Sequence, residues 1–525
     1  MSKQKHMICL INLALIFLVA LPHSVIAQQE PAKFPTSQET KRCLGCHDTY
    51  TPGIVEDWQA SDHARKTPEE ILQKPPISRT VSSQAIPDHL RTTTVGCYEC
   101  HSQNPSLHKD NFSHFGFKIN VIVSPNDCKT CHAVEVEEYS KSKKAYALDN
   151  LQKNPLYHTL VEAIVSVKEV KRDKVVSVRG HRVREEVRED RIAALPATDL
   201  TKAETCYACH GTEVTVQGMK KVSADGADLY LPDLANWPNG GVGRINPDGS
   251  RGSCTSCHPR HGFSLKVARK PYSCSQCHLE PEVPAYNVYS ESKHGNIFSS
   301  KGQDWNWGNI PWRVGQDFQA PTCAVCHNSL LAAPDGKVIL PRTHDFGARV
   351  WVRIFGLIYA HPQPKDARTY IIKNKDGLPL PSTFTGELAA EFLIDGSEQK
   401  KRQEIMRKVC QTCHGPGWID GHLAKFDSTI AETNKMIRAA TDLLLEAWDR
   451  KLADRSHPFD EALEQSWVEQ WLFYANSVRF ASAMAGPDYA AFKIGWWNLT
   501  KSLQEIYDSL ILKSRASNPA HEAVR

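Results

Sequence analysis

Three kinds of hydrophobic pattern follow one another along the 525 residues of the chain. An apolar run near the N-terminus is followed by a long region without sustained periodicity. Turn sequences such as Asn239-Gly240-Gly241 and Pro334-Asp335-Gly336 interrupt this region. The last part of the chain is periodic. The pattern predicts a mainly α protein, with a loop-rich region over residues 28–423 and a helical bundle with its tail over residues 424–525.

The periodic part of the chain has the spacing of amphipathic helices. Apolar residues recur near helical spacing at Ile430, Ile437 and Leu444. Two further periodic runs, over residues 460–484 and 489–513, are separated by a Gly-Pro pair, which ends a helix. We therefore expect about three helices, with most of their aromatic side chains in the core or at an interface.

A charged stretch between Val165 and Arg191 has a different pattern. Valine alternates there with Lys, Arg and Glu, which is typical of a half-exposed strand. The stretch predicts a two-stranded surface hairpin, and the functional alternative is a docking arm.

The N-terminal apolar run has the features of a secretory signal peptide. Lys3 and Lys5 precede an apolar run from Met7 to about Leu21, and Val25-Ile26-Ala27 places small or short residues at a cleavage site. The alternative is a membrane anchor, but the run is shorter than the roughly 20 residues that a spanning helix needs. We expect residues 1–27 to be removed, leaving an exported protein without an anchor in a periplasm or equivalent compartment.

Composition and charge exclude several classes of protein. With 41% hydrophobic and 23% charged residues, the chain is globular rather than disordered or fibrous. The 63 basic and 59 acidic side chains nearly cancel, so the charge gives no support for a nucleic-acid partner. The 17 cysteines are too sparse in so long a chain for a disulfide scaffold.

Sixteen of the 17 cysteines belong to eight Cys-x-x-Cys-His motifs, the attachment signature of c-type haem. A zinc ribbon would not need a His after every second cysteine. The motifs begin at Cys43, Cys97, Cys128, Cys206, Cys254, Cys274, Cys323 and Cys410. Their second cysteines are Cys46, Cys100, Cys131, Cys209, Cys257, Cys277, Cys326 and Cys413. The sequence therefore predicts eight c-type haems in a multihaem cytochrome c domain.

The histidines of the motifs are the expected proximal iron ligands: His47, His101, His132, His210, His258, His278, His327 and His414. After residue 27 the chain has only four methionines but thirteen histidines outside the motifs, so most haems should be bis-histidine and low in potential. The predicted distal ligands are His63, His89, His114, His158, His261, His344 and His422, with His108 and His361 in reserve.

Catalysis at such a haem requires one iron with an open coordination position for a small molecule. Eight six-coordinate haems would instead make a protein that only carries electrons. The spacing of the motifs leaves both alternatives open and does not indicate which iron is open.

The chain resembles the octahaem hydroxylamine oxidoreductase family, including its hydrazine-oxidising members. The stretches that carry the resemblance are Tyr50–Trp58 with His63, Val123–Asp127, Gly243–Ser250, Glu291–Gly295, Gly356–Pro362 and Gly486–Tyr489. All eight motifs end in His, whereas multihaem nitrite reductases have a Cys-x-x-Cys-Lys motif at the active haem.

The resemblance implies that the fourth haem, held by Cys206, Cys209 and His210, is catalytic and pentacoordinate. In the oxidative members of the family, a tyrosine from a neighbouring subunit of a homotrimer is cross-linked to that haem. Tyr489 is the best match for this tyrosine, and Tyr474 is the second choice.

The family also places an Asp-His pair and a tyrosine over the open face of the fourth haem. The resemblance assigns these roles to His294 and Tyr359, although Lys293 stands where the pair has Asp.

The implied function is oxidation of hydroxylamine, to nitric oxide or nitrite, with electrons passing through bis-histidine haems to a small cytochrome. His294 would accept protons from the substrate. The alternatives are hydrazine dehydrogenation, reduction of nitrite or hydroxylamine, and electron transfer without catalysis.

Overall fold

The computed structural model describes residues 34–179, 182–224 and 226–517. The predicted signal peptide over residues 1–27 lies outside this part of the chain, as do His181 and His521. Within the described ranges, no helix is both long enough and apolar enough to cross a membrane.

Short helices joined by turns make up the region that contains the first seven motifs. Five of these helices begin with a proline in their first turn, where proline has no hydrogen bond to lose. In chain order the helices are α1 (Gln38–Tyr50), α2 (Pro52–Ala60), α3 (Asp62–Arg65), α4 (Pro68–Leu72), α5 (Asp88–Arg91), α6 (Cys97–His101), α7 (Pro125–Cys128), α8 (Ala133–Ser140), α9 (Ala147–Gln152), α10 (Pro155–Val165), α11 (Asp199–Glu204), α12 (Cys206–His210), α13 (Leu265–Arg269), α14 (Pro271–Ser275), α15 (Ala285–Glu291), α16 (Lys293–Lys301) and α17 (Cys323–His327).

The strands of the described chain form hairpins and one small three-stranded sheet. They are β1 (Asn111–His114), β2 (Phe117–Asn120), β3 (Val167–Arg179), β4 (Arg182–Leu195), β5 (Thr215–Ala224), β6 (Ala227–Ala235), β7 (Trp312–Arg313), β8 (Leu331–Ala332), β9 (Val338–Leu340), β10 (Val352–Arg353) and β11 (His361–Pro362). The antiparallel pairs are β1–β2, β3–β4, β5–β6 and β10–β11, while β8 pairs with both β7 and β9. The β3–β4 hairpin confirms the two-stranded hairpin that was predicted from the alternation of valine with charged residues. The β5–β6 hairpin was not predicted.

Longer helices follow the last loop. They are α18 (Gly396–Gln411), α19 (Pro416–Asp449), α20 (Ala462–Glu469), α21 (Ala475–Met484) and α22 (Trp496–Ala516). A π-helical segment, Gln470–Tyr474, joins α20 to α21, so the two form the single periodic run predicted over residues 460–484. The predicted boundary at residue 424 falls inside α19. Together with the short helices, these elements confirm the mainly α fold.

The largest apolar cluster lies in this C-terminal bundle. Ile437, Leu444, Leu463 and Leu499 have no exposed surface, and Trp467 is 1% exposed. Such complete burial of large apolar side chains is the main source of the bundle's stability, at roughly 1.5–3 kcal/mol each.

The bundle also holds the β10–β11 hairpin in place. Arg479 on α21 is fully buried and donates hydrogen bonds to the carbonyl oxygen of Ile354 and to Oδ1 of Asn434. The side chain of Asn434 on α19 in turn hydrogen-bonds both the amide nitrogen and the carbonyl oxygen of Ala360, at 3.1 and 3.3 Å. The residue after Ala360 is His361, so two helices of the bundle fix the backbone that carries this histidine.

Candidate active site

The sixteen motif cysteines form no disulfides with one another. Instead, thiols of different motifs meet in three hydrogen-bonded pairs: Cys128 with Cys254, Cys209 with Cys277, and Cys274 with Cys323. The third motif therefore adjoins the fifth, the fourth adjoins the sixth, and the sixth adjoins the seventh. These contacts form two groups of motifs, the third with the fifth, and the fourth with the sixth and seventh.

Two predicted distal ligands, His63 and His114, and the predicted catalytic residue His294 each face a motif histidine at nearly the same distance. The ring centroids are 6.3 Å apart for His47 and His114, 6.2 Å for His63 and His132, and 6.1 Å for His294 and His414. Two imidazoles on opposite sides of one metal ion, with metal–nitrogen bonds of about 2.0–2.1 Å, have centroids about 6 Å apart. The residues at the first, third and eighth motifs thus fit the axial positions of a c-type haem.

The motif histidines are oriented so that one ring nitrogen remains available for iron. Nδ1 of His101 lies 2.8 Å from the carbonyl oxygen of Asn120, and Nδ1 of His210 lies 3.2 Å from that of Ala147. A hydrogen bond from Nδ1 to a carbonyl fixes the tautomer and leaves Nε2 as the ligand atom. This donor set, with two thiols beside each histidine, fits covalently attached haem.

Two more predicted ligands lie near motif histidines. Burial, and next the charge of His101, lower the pKa of His261. Burial, and next the charge of His258, lower the pKa of His344 to about 4. The structure therefore places His261 beside the second motif and His344 beside the fifth.

The remaining predicted distal ligands lie elsewhere. His158 is half-exposed with its Nε2 4.0 Å from Glu162, and His89 makes no ring contact with a motif histidine among the described residues. His422 stacks on Trp418 and its Nε2 lies 3.2 Å from the carbonyl oxygen of Ala483. These three side chains are not brought opposite a motif histidine.

The reserve ligand His108 is fully committed to other partners. Its Nδ1 lies 3.0 Å from Asp110 and its Nε2 lies 3.2 Å from Asp127. Burial opposes protonation, but the two carboxylates outweigh it and raise the pKa of His108 to about 10. A histidine with both nitrogens bonded to carboxylates is a structural cation and is not free to bind iron.

The residues assigned by resemblance to the open face of the fourth haem occupy other places. His294 faces His414 of the eighth motif. The hydroxyl of Tyr359 donates to the carbonyl oxygen of Phe384 at 2.7 Å, and its ring packs in the core of the C-terminal bundle.

The two candidate cross-linking tyrosines also have partners within the chain. Tyr489 is 2% exposed, and its hydroxyl donates to the carboxylate of Glu280. Burial and this hydrogen bond raise the pKa of Tyr489. The hydroxyl of Tyr474 donates to Glu469 at 2.9 Å.

A group of basic side chains lies beside the fourth motif instead; we call Lys143, Arg353 and His361 the cationic cluster. Arg353 and His361 are direct partners in the β10–β11 pair. After burial, the charge of Arg353 is the largest influence lowering the pKa of both Lys143, to about 8, and His361, to about 3. Burial lowers the pKa of His210; the carboxylate of Glu282 opposes this, and the charge of Arg353 adds a smaller lowering. These effects show that the cluster is compact and adjoins the fourth motif.

One polar atom of the cationic cluster is buried without a hydrogen bond, and its two cations form no close ion pair among the described residues. Nε2 of His361 is buried without a hydrogen bond, while its Nδ1 is bonded to the carbonyl oxygen of Pro362. Within the described ranges, neither Lys143 nor Arg353 forms an ion pair within 4.0 Å, unlike the exposed pair of Arg368 with Asp366 at 2.7 Å. Lys143 and Arg353 are partly buried, and two positive charges without a close counter-ion favour an anion at this place.

The sequence indicates only one residue of the cationic cluster, His361, and it does so as a reserve iron ligand. Lys143 and Arg353 carry no local signal, because they come from distant segments that the fold brings together. The single clue was the Gly356–Pro362 stretch of the family resemblance, which contains His361.

An open cleft of about 640 Å³ lies elsewhere, between α2 and the segment that follows the fifth motif. Asp57, Arg260 and His261 are among its lining residues. Its size is within the roughly 300–1,000 Å³ of cofactor and ligand sites. His261 lines the cleft and lies near His101, so the cleft adjoins the second motif.

Comparison with protein families identifies two matching stretches. The family described as "Seven times multi-haem cytochrome CxxCH" matches residues 248–333, and the family "Cytochrome c554 and c-prime" matches residues 127–177. Both matches lie in the loop-rich region and agree with its haem-attachment motifs.

A curated relative and two solved structures extend the comparison. A "Probable nitrite reductase-hydroxylamine oxidoreductase fusion protein" of Kuenenia stuttgartiensis is 25% identical over 303 residues, which is 54% of this chain but only a quarter of that protein. A solved "Hypothetical multiheme protein" is 42% identical, with a TM-score of 0.84 over 93% of this chain and 98% of the other. The "reducing HAO-like protein complex Kustc0457/Kustc0458" of Kuenenia stuttgartiensis is 16% identical, with a TM-score of 0.59 over 92% and 87% of the two chains. The last comparison shows a shared fold.

Proposed function

The chain belongs to the multihaem c-type cytochromes related to hydroxylamine oxidoreductase-like proteins, and from this premise we propose that it is a redox enzyme that reduces nitrite. The reaction site is the fourth motif, and the electrons arrive through the other motifs. Eight haems, one of them open, are part of this proposal.

The observation that carries the proposal is the cationic cluster beside His210. Arg353 and Lys143 present two partly buried positive groups that form no ion pair within 4.0 Å in the described chain, and the unpaired Nε2 of His361 lies next to them. Nitrite is a small anion, so it gains from this environment. Hydroxylamine is uncharged at neutral pH and gains much less.

A c-type haem held by Cys206, Cys209 and His210 would supply a redox-active iron with one position for substrate. The chain's own residues do the remaining work. The carbonyl oxygen of Ala147 orients His210 through Nδ1. Arg353 and Lys143 attract and orient the anion, while the bundle holds the His361 backbone through Asn434.

The arrangement of the other motifs supports delivery of several electrons. The thiol contacts connect the fourth motif to the sixth and the sixth to the seventh. Nitrite reduction consumes many electrons, so a connected row of low-potential haems provides the reservoir that the reaction needs. We propose a small reduced cytochrome as the electron donor, in an extracytoplasmic compartment. A homotrimer stays a prediction.

A second candidate is oxidation of hydroxylamine at the same site, with hydrazine as the related substrate. The observation that favours it is the neutral His361, whose free Nε2 can accept a hydrogen bond from the N–H or O–H group of an uncharged substrate. Against it stands Tyr489, because a phenol that is 2% exposed and bonded to Glu280 is poorly placed to reach a neighbouring subunit. The resemblance associates oxidation with that cross-link.

The experiment is a side-by-side turnover assay of the haem-loaded protein. Nitrite is supplied with a reduced viologen as donor, and hydroxylamine is supplied with an oxidised cytochrome c as acceptor. We expect faster turnover of nitrite, with a reduced nitrogen product. Exclusive oxidation of hydroxylamine would favour the second candidate, and no turnover of either substrate would indicate a protein that only carries electrons.

A further inference from the structure

Three buried charged side chains lie between the second and third motifs; we call Asp110, His108 and Asp127 the buried triad. Nδ1 of His108 lies 3.0 Å from Oδ1 of Asp110, and its Nε2 lies 3.2 Å from Oδ2 of Asp127. The side chains of His108 and Asp110 have no exposed surface, and that of Asp127 is 1% exposed. Charged side chains are almost never buried so completely unless they are paired, as they are here.

The imidazole ring of the buried triad is a fixed positive charge. Both of its nitrogens lie within hydrogen-bond distance of a carboxylate oxygen, and because an ionised carboxylate only accepts, each nitrogen carries a proton. Burial opposes this charge, but the two carboxylates outweigh it and raise the pKa of His108 to about 10. At neutral pH the triad therefore combines one cation with two anions.

Hydrogen bonds join the buried triad to the proximal histidine of the second motif. Oδ2 of Asp110 accepts from the amide nitrogen of Ile122 at 2.8 Å. The buried side chain of Asn120 donates to the carbonyl oxygen of Ile122 at 2.7 Å. The carbonyl oxygen of Asn120 in turn lies 2.8 Å from Nδ1 of His101. Two residues thus connect one carboxylate of the triad to the expected iron ligand.

The other carboxylate of the buried triad belongs to the segment of the third motif. Asp127 is the third residue of α7, which ends at Cys128. Its Oδ2 accepts from the amide nitrogen of Ser124 at 2.7 Å, and its Oδ1 accepts from the side-chain nitrogen of Asn104 at 2.9 Å. Asn104 lies three residues after His101 in the sequence. The triad therefore spans the junction between the second and third motifs.

His108 is the counter-ion of both carboxylates. Among the described residues, neither Asp110 nor Asp127 has another ion-pair partner within 4.0 Å. Loss of the imidazolium would leave two buried negative charges close together, while loss of one carboxylate would leave a balanced pair. The charge beside the second motif thus changes in opposite directions in the two cases.

A buried charge acts on a nearby haem more strongly than an exposed one, because the protein interior screens it less than water does. We propose that the buried triad sets the reduction potential of the haem at the second motif, with the imidazolium of His108 as the charge that raises it. One electron from the redox partner converts ferric to ferrous iron, and a neighbouring positive charge favours this step. His108 is a positioning residue, since it acts through its charge and through Asp110 and not by ligation.

The potential of the second haem matters because of where the buried triad lies. The triad connects the second motif to the third, and the thiol contact of Cys128 with Cys254 connects the third motif to the fifth. A difference in potential at this junction controls the direction in which electrons pass between the second haem and the pair formed by the third and fifth.

The test is a potentiometric titration of the holoprotein at pH 7, followed through the haem absorption bands. In His108→Gln, we expect one component to shift to lower potential by about 59 mV or more, which is a tenfold fall in the equilibrium constant for one-electron reduction. In Asp110→Asn, the same component should shift to higher potential. A side chain that only supported the fold would not give opposite shifts in the two variants.

Three more variants complete the test. His108→Lys keeps a positive charge between the carboxylates and should return the component to near its wild-type potential. His457→Gln removes an exposed histidine that lies 3.0 Å from Asp454, and it should shift no component because water screens this pair. His101→Met replaces the axial ligand, so the component whose potential it raises is that of the second haem.

Two results would overturn the proposal. One is unchanged potentials, or shifts in the same direction, in His108→Gln and Asp110→Asn. The other is a shift in a component that His101→Met leaves in place. Neither measurement depends on nitrite turnover, because both report the second haem and not the fourth.

Discussion

Replacing Arg353 with Gln removes one positive charge from the cationic cluster and keeps the backbone pairing of β10 with β11, which involves main-chain atoms only. Gln is also polar, although its side chain is shorter than that of Arg. The variant therefore tests the charge of the guanidinium rather than the shape of the hairpin. If Arg353 binds the substrate anion, its loss should weaken nitrite binding selectively.

The magnitude follows from the contact that is lost. A hydrogen bond to a charged group is worth about 1.5–3 kcal/mol in a protein. At about 1.4 kcal/mol per factor of ten, this corresponds to a rise of about 10- to 100-fold in KM for nitrite. Because hydroxylamine is uncharged, its KM should change by less than about threefold. Lys143 remains as a second cation, so the lower half of the nitrite range is expected.

The assay measures initial rates of both substrates with the holoprotein, over a range of substrate concentrations. Arg450→Gln is the matched control, since Arg450 is exposed and paired with Glu446 on the surface of the bundle. Its KM values should equal those of the wild type. An equal loss for nitrite and hydroxylamine in Arg353→Gln would refute substrate recognition and would indicate that Arg353 only supports the fold or a haem.

Three further predictions concern the bundle and Tyr489. Trp467→Ala should lower the free energy of unfolding by about 3–5 kcal/mol in a denaturant titration, because the side chain is 1% exposed; the exposed Trp497→Ala should stay within about 0.5 kcal/mol, and equal losses would contradict the assigned core. Burial raises the pKa of Glu464 to about 8, so its contribution to stability is complete below the ordinary pKa of 4.5 and is lost as pH rises through 8. The melting temperature should therefore fall from pH 5 to pH 9 more steeply in the wild type than in Glu464→Gln, and parallel curves would show that Glu464 is not responsible. Tyr489→Phe removes the hydrogen bond to Glu280 and should cost about 0.5–1.5 kcal/mol of stability with the haem spectrum unchanged; loss of a red-shifted haem band in this variant would reveal the cross-link.

Local patterns in the sequence predict those features that depend on neighbouring residues. The Cys-x-x-Cys-His spacing identifies the attachment points, the helical period predicts the C-terminal bundle, and valine alternation predicts the β3–β4 hairpin. Each of these follows from residues that are close in the chain, so the spacing itself carries the information.

Local spacing does not indicate which residues from distant parts of the chain come together in the fold. His294 was assigned to the fourth haem, yet the fold places it opposite His414, which lies in the helix–loop segment after α18. Which motif a histidine faces depends on how the short helices pack, and no local period reports that packing. The same holds for Arg353 and Lys143, which meet only because Asn434 and Arg479 hold the β10–β11 segment against the bundle.

In the proposed function, the fourth haem is open and the cationic cluster beside it binds nitrite. The most direct measurement is an electron paramagnetic resonance titration of the oxidised holoprotein with nitrite, run in parallel on Arg353→Gln. We expect a high-spin signal that nitrite converts to low-spin, saturating near one equivalent per chain and needing about 10-fold or more nitrite in the variant. A wild-type protein whose haems are all low-spin from the start, or a high-spin signal that nitrite leaves unchanged, would contradict the claim.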